Sequence, residues 1–244
     1  MAMTFSKMQC AQIQAPALRA VLPKLPLNRN TARTIIHAPL LYGGMDLPHL
    51  YTLQGLYQLK FLLGHLHAQD KTCKLLLISH GSLQLLIGTS SNFLNSAYSR
   101  CHFLACPMWF TSVWKFMSKL HLQLHIQQVW LPPSPTGADV NLMDYFLSMD
   151  LSSTRLISIN RCRVLLQILL LSDIVSADGR QLIPQVFQGH KLTDWQSYLV
   201  WPDQQTPSSA DWLERANAFT SLAPGLRLRS LIDMFTVTSH QHYF

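Results

Sequence analysis

The chain of 244 residues has little charge. Asp, Glu, Lys and Arg make up 13% of it, about half of the roughly 25% usual in soluble domains. Glu214 is its single glutamate. This composition excludes a coiled coil, which needs heptads rich in Glu and Lys, and the 48% of hydrophobic residues excludes intrinsic disorder. Ten glycines and thirteen prolines are too few for a collagen-like or linker-like sequence.

Long apolar runs are also missing. The most apolar run, residues 164–171, contains Gln167 and is far shorter than the roughly 20 residues of a membrane span. No long apolar stretch follows the N-terminus, so we predict no secretory signal. The five cysteines are an odd number without framework spacing. We therefore expect reduced thiols and an intracellular protein, in the cytoplasm or nucleus, that does not bind a membrane.

Motifs of known catalytic chemistry are absent from the sequence. There is no Gly-x-Ser-x-Gly element of a hydrolase, and Gly43-Gly44 lacks the spacing of a nucleotide-binding loop. No Asp-Asp pair offers the clustered carboxylates of two-metal phosphoryl transfer. The sequence thus predicts neither an independent enzyme nor a cofactor.

One set of cysteines and histidines has metal-like spacing. Cys101-x4-Cys106-x14-His121-x3-His125 is close to the two-Cys, two-His zinc pattern. The two histidines fall in a strand-like segment, which would place them about 13 Å apart, too far for one zinc ion. We expect two buried thiols and two solvent-facing histidines, with zinc binding as the alternative.

The hydrophobic periodicity predicts a mainly α fold with a few short strands (α+β). Gly88 is expected to end one helix as a C′ glycine, and Ser208 with Asp211 to begin the last one. Strict alternation over residues 120–127 predicts a half-buried strand, and residues 181–186 are a second candidate. The predicted helices cover residues 4–22, 49–68, 72–87, 109–119, 139–149, 153–175 and 209–221.

The helix predicted over residues 153–175 carries one polar stripe. Asn160, Arg163 and Gln167 recur at i, i+3 and i+7 among apolar neighbours. We favour a narrow solvent face of an otherwise buried helix. The stripe could instead face a neighbouring domain or a nucleic-acid backbone, to which the guanidinium of Arg163 would donate two parallel hydrogen bonds.

A proline cluster divides the chain. Residues 132–138 contain three prolines and predict a linker between a helical part, residues 1–131, and a helix-rich part, residues 139–244. The tail from about residue 236 is a candidate for disorder.

Positive charge is concentrated in segments that have no acids. Residues 71–138 carry five Lys or Arg and no acid. A basic surface of this kind suits a polyanion such as nucleic acid, although the charge could also serve solubility alone. Residues 1–45 also lack an acid and contain Lys7, Arg19, Lys24, Arg29 and Arg33.

The segment Tyr42-Gly43-Gly44-Met45-Asp46-Leu47-Pro48 resembles a stretch that follows the polymerase domain in non-LTR retrotransposon reverse transcriptases. In that family a Gly-Gly-hydrophobic-Gly-hydrophobic-Pro stretch precedes a helix, and Asp46 stands here in place of the third glycine. Further stretches resemble such proteins from algae, in order over about residues 8–220. They include Asn28-Arg29-Asn30, Ile159-Asn160-Arg161-Cys162-Arg163 and Trp201-Pro202-Asp203-Gln204.

This resemblance implies a thumb-side, post-polymerase region, as in a truncated or decayed copy. The family's catalytic palm with its Asp-Asp motif has no counterpart here, so the region would hold template–primer duplex or element RNA without chemistry of its own, beside the missing palm. The alternative is a helical protein-interaction module without a nucleic-acid role. Gly43 and Gly44 would form a structural turn. The expected phosphate contacts are Lys24, Arg29, Arg33, Lys60 and Arg163.

Overall fold

The fold is helical throughout the part of the chain that the computed structural model describes. The described residues are 4–25, 31–127, 129, 131, 140–149, 151–175, 183, 201–202 and 206–222. Their α-helices are α1 Lys7–Val21, α2 Arg33–His37, α3 Leu50–Ala68, α4 Lys71–Ile87, α5 Tyr98–Cys101, α6 Trp109–Lys119, α7 Leu142–Ser148, α8 Ser153–Leu166 and α9 Ser209–Leu222. The prediction of a mainly α fold is confirmed.

The strand predicted over residues 120–127 does not form. Residues 122–126 are extended, but none of them belongs to a β-bridge. The Asn95 side chain takes the place of a partner strand, since it bonds both the N–H (2.8 Å) and the carbonyl (3.0 Å) of Leu124. The described residues contain one isolated bridge, Asn141–Leu170. Apart from Ile183, the second candidate at 181–186 lies outside the described residues.

Local capping explains why most helix ends were predictable. Gly88 ends α4 with φ +78°, and its N–H donates to the Gln84 carbonyl. Ser208 and Asp211 bond reciprocally at the start of α9. By contrast, α8 ends at Gln167 (φ 60°) and not near residue 175, because an apolar run alone does not distinguish a continuing helix from a buried turn.

A single hydrophobic cluster contains residues from both sides of the predicted linker. Met117 of α6 lies in the same cluster as Phe146 of α7 and Phe219 of α9. Residues 132–139, and the tail beyond residue 222, lie outside the described part. The division into two domains therefore stays a prediction, while the helices on either side share one core.

Arg163 is completely buried where α8 meets the end of α4. Its Nη2 donates to the carbonyls of Leu85 (2.6 Å) and Leu86 (2.9 Å). Its Nη1 donates to the carbonyl of Ile168 (3.1 Å), and Nε donates to Asn160 Oδ1 (2.8 Å). The last carbonyls of a helix lack hydrogen-bond donors within it, and Arg163 provides donors for two of them. Burial lowers the pKa of Arg163 to about 9.

This network corrects two expectations about the polar stripe. Asn160 and Arg163 are buried, so the stripe is not a solvent face. Arg163 is also not accessible to a phosphate, because its guanidinium is enclosed between two helices. Gly88 makes the space available, since a Cβ there would lie 2.6 Å from Arg163 Cζ. The prediction that Arg163 binds nucleic acid is therefore wrong.

Replacing Arg163 by lysine tests this structural role. We expect Arg163→Lys to lower the free energy of unfolding by about 3 kcal/mol, because an ammonium group keeps the charge but cannot make the four hydrogen bonds of the fork. Urea unfolding followed by circular dichroism measures the change.

The matched control is Arg161→Lys on the same helix. Arg161 is 41% exposed and its Nη1 lies 3.7 Å from Asp211 Oδ1, so we expect a loss of less than about 1 kcal/mol. Equal effects of the two substitutions would contradict the assigned role of Arg163.

His80 is a second buried polar group, in the middle of α4. Its Nε2 lies 3.1 Å from Asn92 Oδ1, and its ring is 4.9 Å from that of Phe93 and 5.7 Å from that of Phe110. Burial lowers the pKa of His80 to about 4. The folded chain therefore keeps this imidazole neutral at pH values where the unfolded chain would protonate it.

The stability of the wild-type chain should consequently fall in mild acid. Between pH 6.5, the ordinary pKa of the side chain, and pH 4 only the unfolded chain binds the proton. We expect the contribution of His80 to decline by about 3 kcal/mol over this range. His80→Phe should remove this slope, whereas the exposed His67→Gln should retain it. Urea titrations at a series of pH values test this, and equal slopes for the wild type and His80→Phe would contradict it.

Candidate nucleic-acid interface

Helix α1 is attached to α3 mainly by two glutamine side chains. Gln54 accepts from the Phe5 N–H (2.9 Å) and donates to the Phe5 carbonyl (3.0 Å). Gln14 donates to the Pro48 carbonyl (2.6 Å) and accepts from the Leu50 N–H (3.2 Å). These paired bonds fix both the position and the orientation of α1.

The apolar contact beneath α1 is small. Cys10 is the one residue of α1 that is fully buried, and it packs with Tyr51 and Phe116. The Lys119 ammonium lies 5.6 Å from the centre of the Tyr51 ring. This contact brings a cation of α6 to the edge of α1, although the two helices are distant in sequence.

A cavity of about 350 Å³ lies between α1, α2 and the start of α3; we call it the basic cavity. Its lining contains no carboxylate, and every lining residue is among those described. Its lining combines apolar side chains with cations, imidazoles and an amide. The apolar lining residues are Ala11, Ala15, Leu18, Leu22 and Ile36, and the polar ones are Lys7, Gln14, Arg19, Arg33, His37 and His49.

Like charges are close together around this cavity. Repulsion by the Lys7 ammonium, with a smaller contribution from burial, lowers the pKa of Lys119. Burial lowers the pKa of His49, and His37, Lys7 and Lys119 lower it further. The rings of His37 and His49 are 5.1 Å apart. A bound anion would relieve this repulsion, because it would compensate several cations at once.

His49 also has a local structural role. Its Nδ1 accepts from the backbone N–H of Thr52 (3.3 Å) and so caps the N-terminus of α3. In this tautomer Nε2 carries the proton. The cap therefore leaves a hydrogen-bond donor, and not an acceptor, on the remaining nitrogen of a ring that lines the basic cavity.

The turn after α2 shapes the rim beside the cavity. Gly43 has φ +73°, and a Cβ on Gly44 would lie 2.0 Å from the Ala38 carbonyl oxygen. The N–H of Met45 donates to the Ile35 carbonyl, and that of Leu47 donates to the Ile36 carbonyl. The chain thus folds back against α2, and Gly44 permits the close approach.

The structure brings together only part of the predicted site. Arg33 lines the basic cavity, and the exposed Lys24 follows Leu22, which also lines it.

Lys60 is exposed on α3 but lies about 16 Å along the helix from His49. Arg29 is outside the described residues, and Arg163 is in the core.

Several residues in or beside the cavity were not among the predicted contacts. Lys7 and Arg19 belong to the acid-free N-terminal segment, which was the available signal. Lys119 comes from the second acid-free segment, and the sequence could not show that α6 packs beside α1. His37 and His49 carried no recognisable motif.

The four residues with zinc-like spacing do not form a metal site. Cys101 is buried, and its sulfur lies 3.7 Å from Ser96 Oγ. Cys106 is exposed, contrary to the expectation of two buried thiols, and His121 and His125 are exposed as expected. Across the described ranges, no three His, Cys, Asp or Glu side chains are grouped as metal ligands.

Comparison of the chain with protein-family models, with curated proteins and with solved structures finds no match. Among the described helices, none has the length and apolarity needed to cross a membrane.

Substitution of Gly44 should disrupt the turn beside the cavity. We expect Gly44→Ala to cost about 2 kcal/mol or more, because its Cβ would overlap a backbone carbonyl. Gly64→Ala is the matched control: a Cβ on Gly64 meets nothing within 4 Å, so alanine should stabilise α3 by about 0.5–1 kcal/mol. Hydrogen exchange at residues 45–47 would detect local opening in Gly44→Ala, and unchanged protection there would contradict the role of Gly44 in the close approach.

Proposed function

We propose that the chain binds nucleic acid through the basic cavity, as a non-catalytic, post-polymerase region of a reverse-transcriptase-like retroelement protein. The observation that carries the proposal is the convergence of Lys7, Arg19 and Arg33 on a cavity without a carboxylate, with Lys119 beside Lys7. The resemblance of residues 42–48, with Asp46 as a departure, supplies the retroelement part of the proposal.

The chemistry of the cavity suits a sugar–phosphate backbone. The Arg and Lys side chains of the lining provide charge-assisted donors for phosphate oxygens. The apolar lining residues, such as Leu18 and Ile36, offer a surface for sugars or bases. Displacement of counterions from the phosphates would supply much of the binding free energy. RNA and DNA share these features.

The proposed role is binding without catalysis. In the family that the sequence resembles, a polymerase palm supplies the chemistry, and this chain would hold template–primer or element RNA next to it. No cofactor is needed for that role. The natural neighbour would thus be a polymerase palm, within the cytoplasm or nucleus.

An apolar surface on α3 and α4 favours a second candidate function, that of a helical protein-interaction module. Leu56, Tyr57 and Leu63 of α3, and Leu75 and Ile78 of α4, are between 48% and 67% exposed. Exposed apolar side chains on neighbouring helices are typical of a partner surface. Such a surface is compatible with nucleic-acid binding elsewhere on the chain.

The double variant Lys7→Gln/Arg33→Gln tests the nucleic-acid proposal. Fluorescence anisotropy with labelled RNA and with primer–template duplex would be measured over a range of salt concentrations. We expect the affinity of the wild type to fall steeply with salt. The double variant should bind roughly tenfold or more weakly at low salt, with a slope of log affinity against log salt reduced by about 2.

The control is Lys71→Gln/Lys74→Gln, which removes the same charge. These exposed lysines lie at the other end of the α3–α4 hairpin, more than about 20 Å from the start of α3. We expect an effect at least severalfold smaller. Salt-independent affinity, or equal losses in the two double variants, would contradict binding at the basic cavity and would favour the interaction module.

A further inference from the structure

Three consecutive apolar side chains project from the turn beside the basic cavity. Leu40 is 71% exposed, Leu41 86% and Tyr42 78%. We call residues 40–42 the exposed tip. Among the described residues, Tyr42 makes no ring contact that would account for its position.

The exposed tip is held rigidly by its backbone. The Tyr42 and Gly44 N–H groups donate to the Pro39 carbonyl (3.0 and 3.1 Å), and the Gly43 N–H donates to the Leu40 carbonyl (3.0 Å). The Asp46 N–H donates to the Ala38 carbonyl (2.9 Å). The backbone hydrogen bonds of the turn therefore keep the three side chains exposed. A ligand that contacts them does not have to pay for ordering this loop.

The tip is close to the cations of the cavity. Helix α2 supplies Arg33, Ile36 and His37 to the cavity lining, and Tyr42 follows His37 by five residues. Even a fully extended chain of that length spans at most about 18 Å, which is the reach of a few nucleotides of single strand. No acid lies between residues 31 and 45.

We propose that the exposed tip is a stacking platform for an unpaired base, so that the ligand of the basic cavity is single-stranded nucleic acid. This inference rests on the proposed function. The strand's phosphates would contact Lys7 and Arg33, and the ring of Tyr42 would stack on a base, with the leucines beside it. An aromatic ring next to a positively charged groove is the arrangement by which proteins bind single strands without sequence preference.

The shape of the charged surface favours a nucleic acid over a lipid surface. An apolar tip flanked by cations can also insert into an anionic membrane. However, cations that serve a planar membrane would surround the tip on a flat or convex surface. Here Lys7, Arg19 and Arg33 line a concavity together with two histidines, a shape that a narrow strand can enter.

The experiment compares substitutions of Tyr42 in the full chain. The probes are a labelled single-stranded RNA of about 12 nucleotides, within the site sizes of single-strand binders, and a duplex of equal length. We expect Tyr42→Ala to weaken single-strand binding about tenfold and duplex binding less than about twofold, because paired bases are not available for stacking. Tyr42→Phe should retain the wild-type affinity.

Two further measurements make the result independent of folding defects. Tyr57→Ala removes a comparably exposed tyrosine (66%) from α3 and should leave single-strand affinity unchanged. A strand containing 2-aminopurine should lose fluorescence on binding the wild-type chain and Tyr42→Phe, because stacking quenches it, and should lose less on binding Tyr42→Ala.

The outcomes separate this inference from the proposed function. Binding that depends on Lys7 and Arg33 but not on Tyr42 would overturn the stacking platform and leave the basic cavity in place. An equal loss of affinity for the single strand and for the duplex in Tyr42→Ala would also overturn it. Absence of binding to either probe would overturn both proposals. Tyr42-dependent binding to phosphatidylserine vesicles, without single-strand binding, would overturn the stacking platform and assign the tip to a membrane.

Discussion

The arrangement of the helical core depends on the buried guanidinium of Arg163. One side chain from α8 donates to the carbonyls of Leu85 and Leu86 at the end of α4. Its partner Asn160 bonds the same turn a second time, because Asn160 Nδ2 donates to the Leu86 carbonyl (2.8 Å). The cation has no carboxylate partner among the described residues, so backbone carbonyls, the Asn160 side-chain oxygen and the ring of Trp201, 5.7 Å from Cζ, compensate its burial. Such a site tolerates little change, because either helix would be left with unpaired polar groups if the other moved.

The layer that forms the candidate site follows a different principle. Helix α1 buries one cysteine and is positioned by the paired bonds of Gln14 and Gln54. An element held mainly by exposed hydrogen bonds opens more easily than an element held by a large apolar face. The basic cavity therefore has a less strongly attached helix as one of its walls, and α1 can shift with less loss of buried contact than a helix of the core.

Most of the correct predictions came from sequence signals that act over a few residues, such as helix caps. Caps such as Gly88 and Ser208 act over a few residues and account for the end of α4 and the start of α9. The hydrophobic periodicity places α3 and α6 to within a residue. The stripe on α8 was misread because solvent and a neighbouring helix terminus both attract polar side chains. The alternation over residues 120–127 was misread because an extended segment can satisfy it without a partner strand. The cations of the cavity were partly predictable, because they lie in a segment of the sequence without acids. The contact of Lys119 with α1 was not predictable, because it depends on tertiary packing.

The positive charge at the cavity is a consequence of how the few acids are used. Of the six acids in the described part of the chain, Asp70, Asp144, Asp173 and Asp211 accept from backbone N–H groups, and Glu214 pairs with Arg155 (2.7 Å). The sixth, Asp46, is exposed in the turn after α2 and takes part in none of the ion pairs of this part. Acids committed to capping and to α8–α9 packing cannot neutralise cations elsewhere. None of the ion pairs in this part involves Lys7, Arg19, Arg33 or Lys119. The three cations that line the cavity, and Lys119 beside Lys7, thus have no carboxylate within ion-pair distance among the described residues, and a polyanion is the ligand that this imbalance favours.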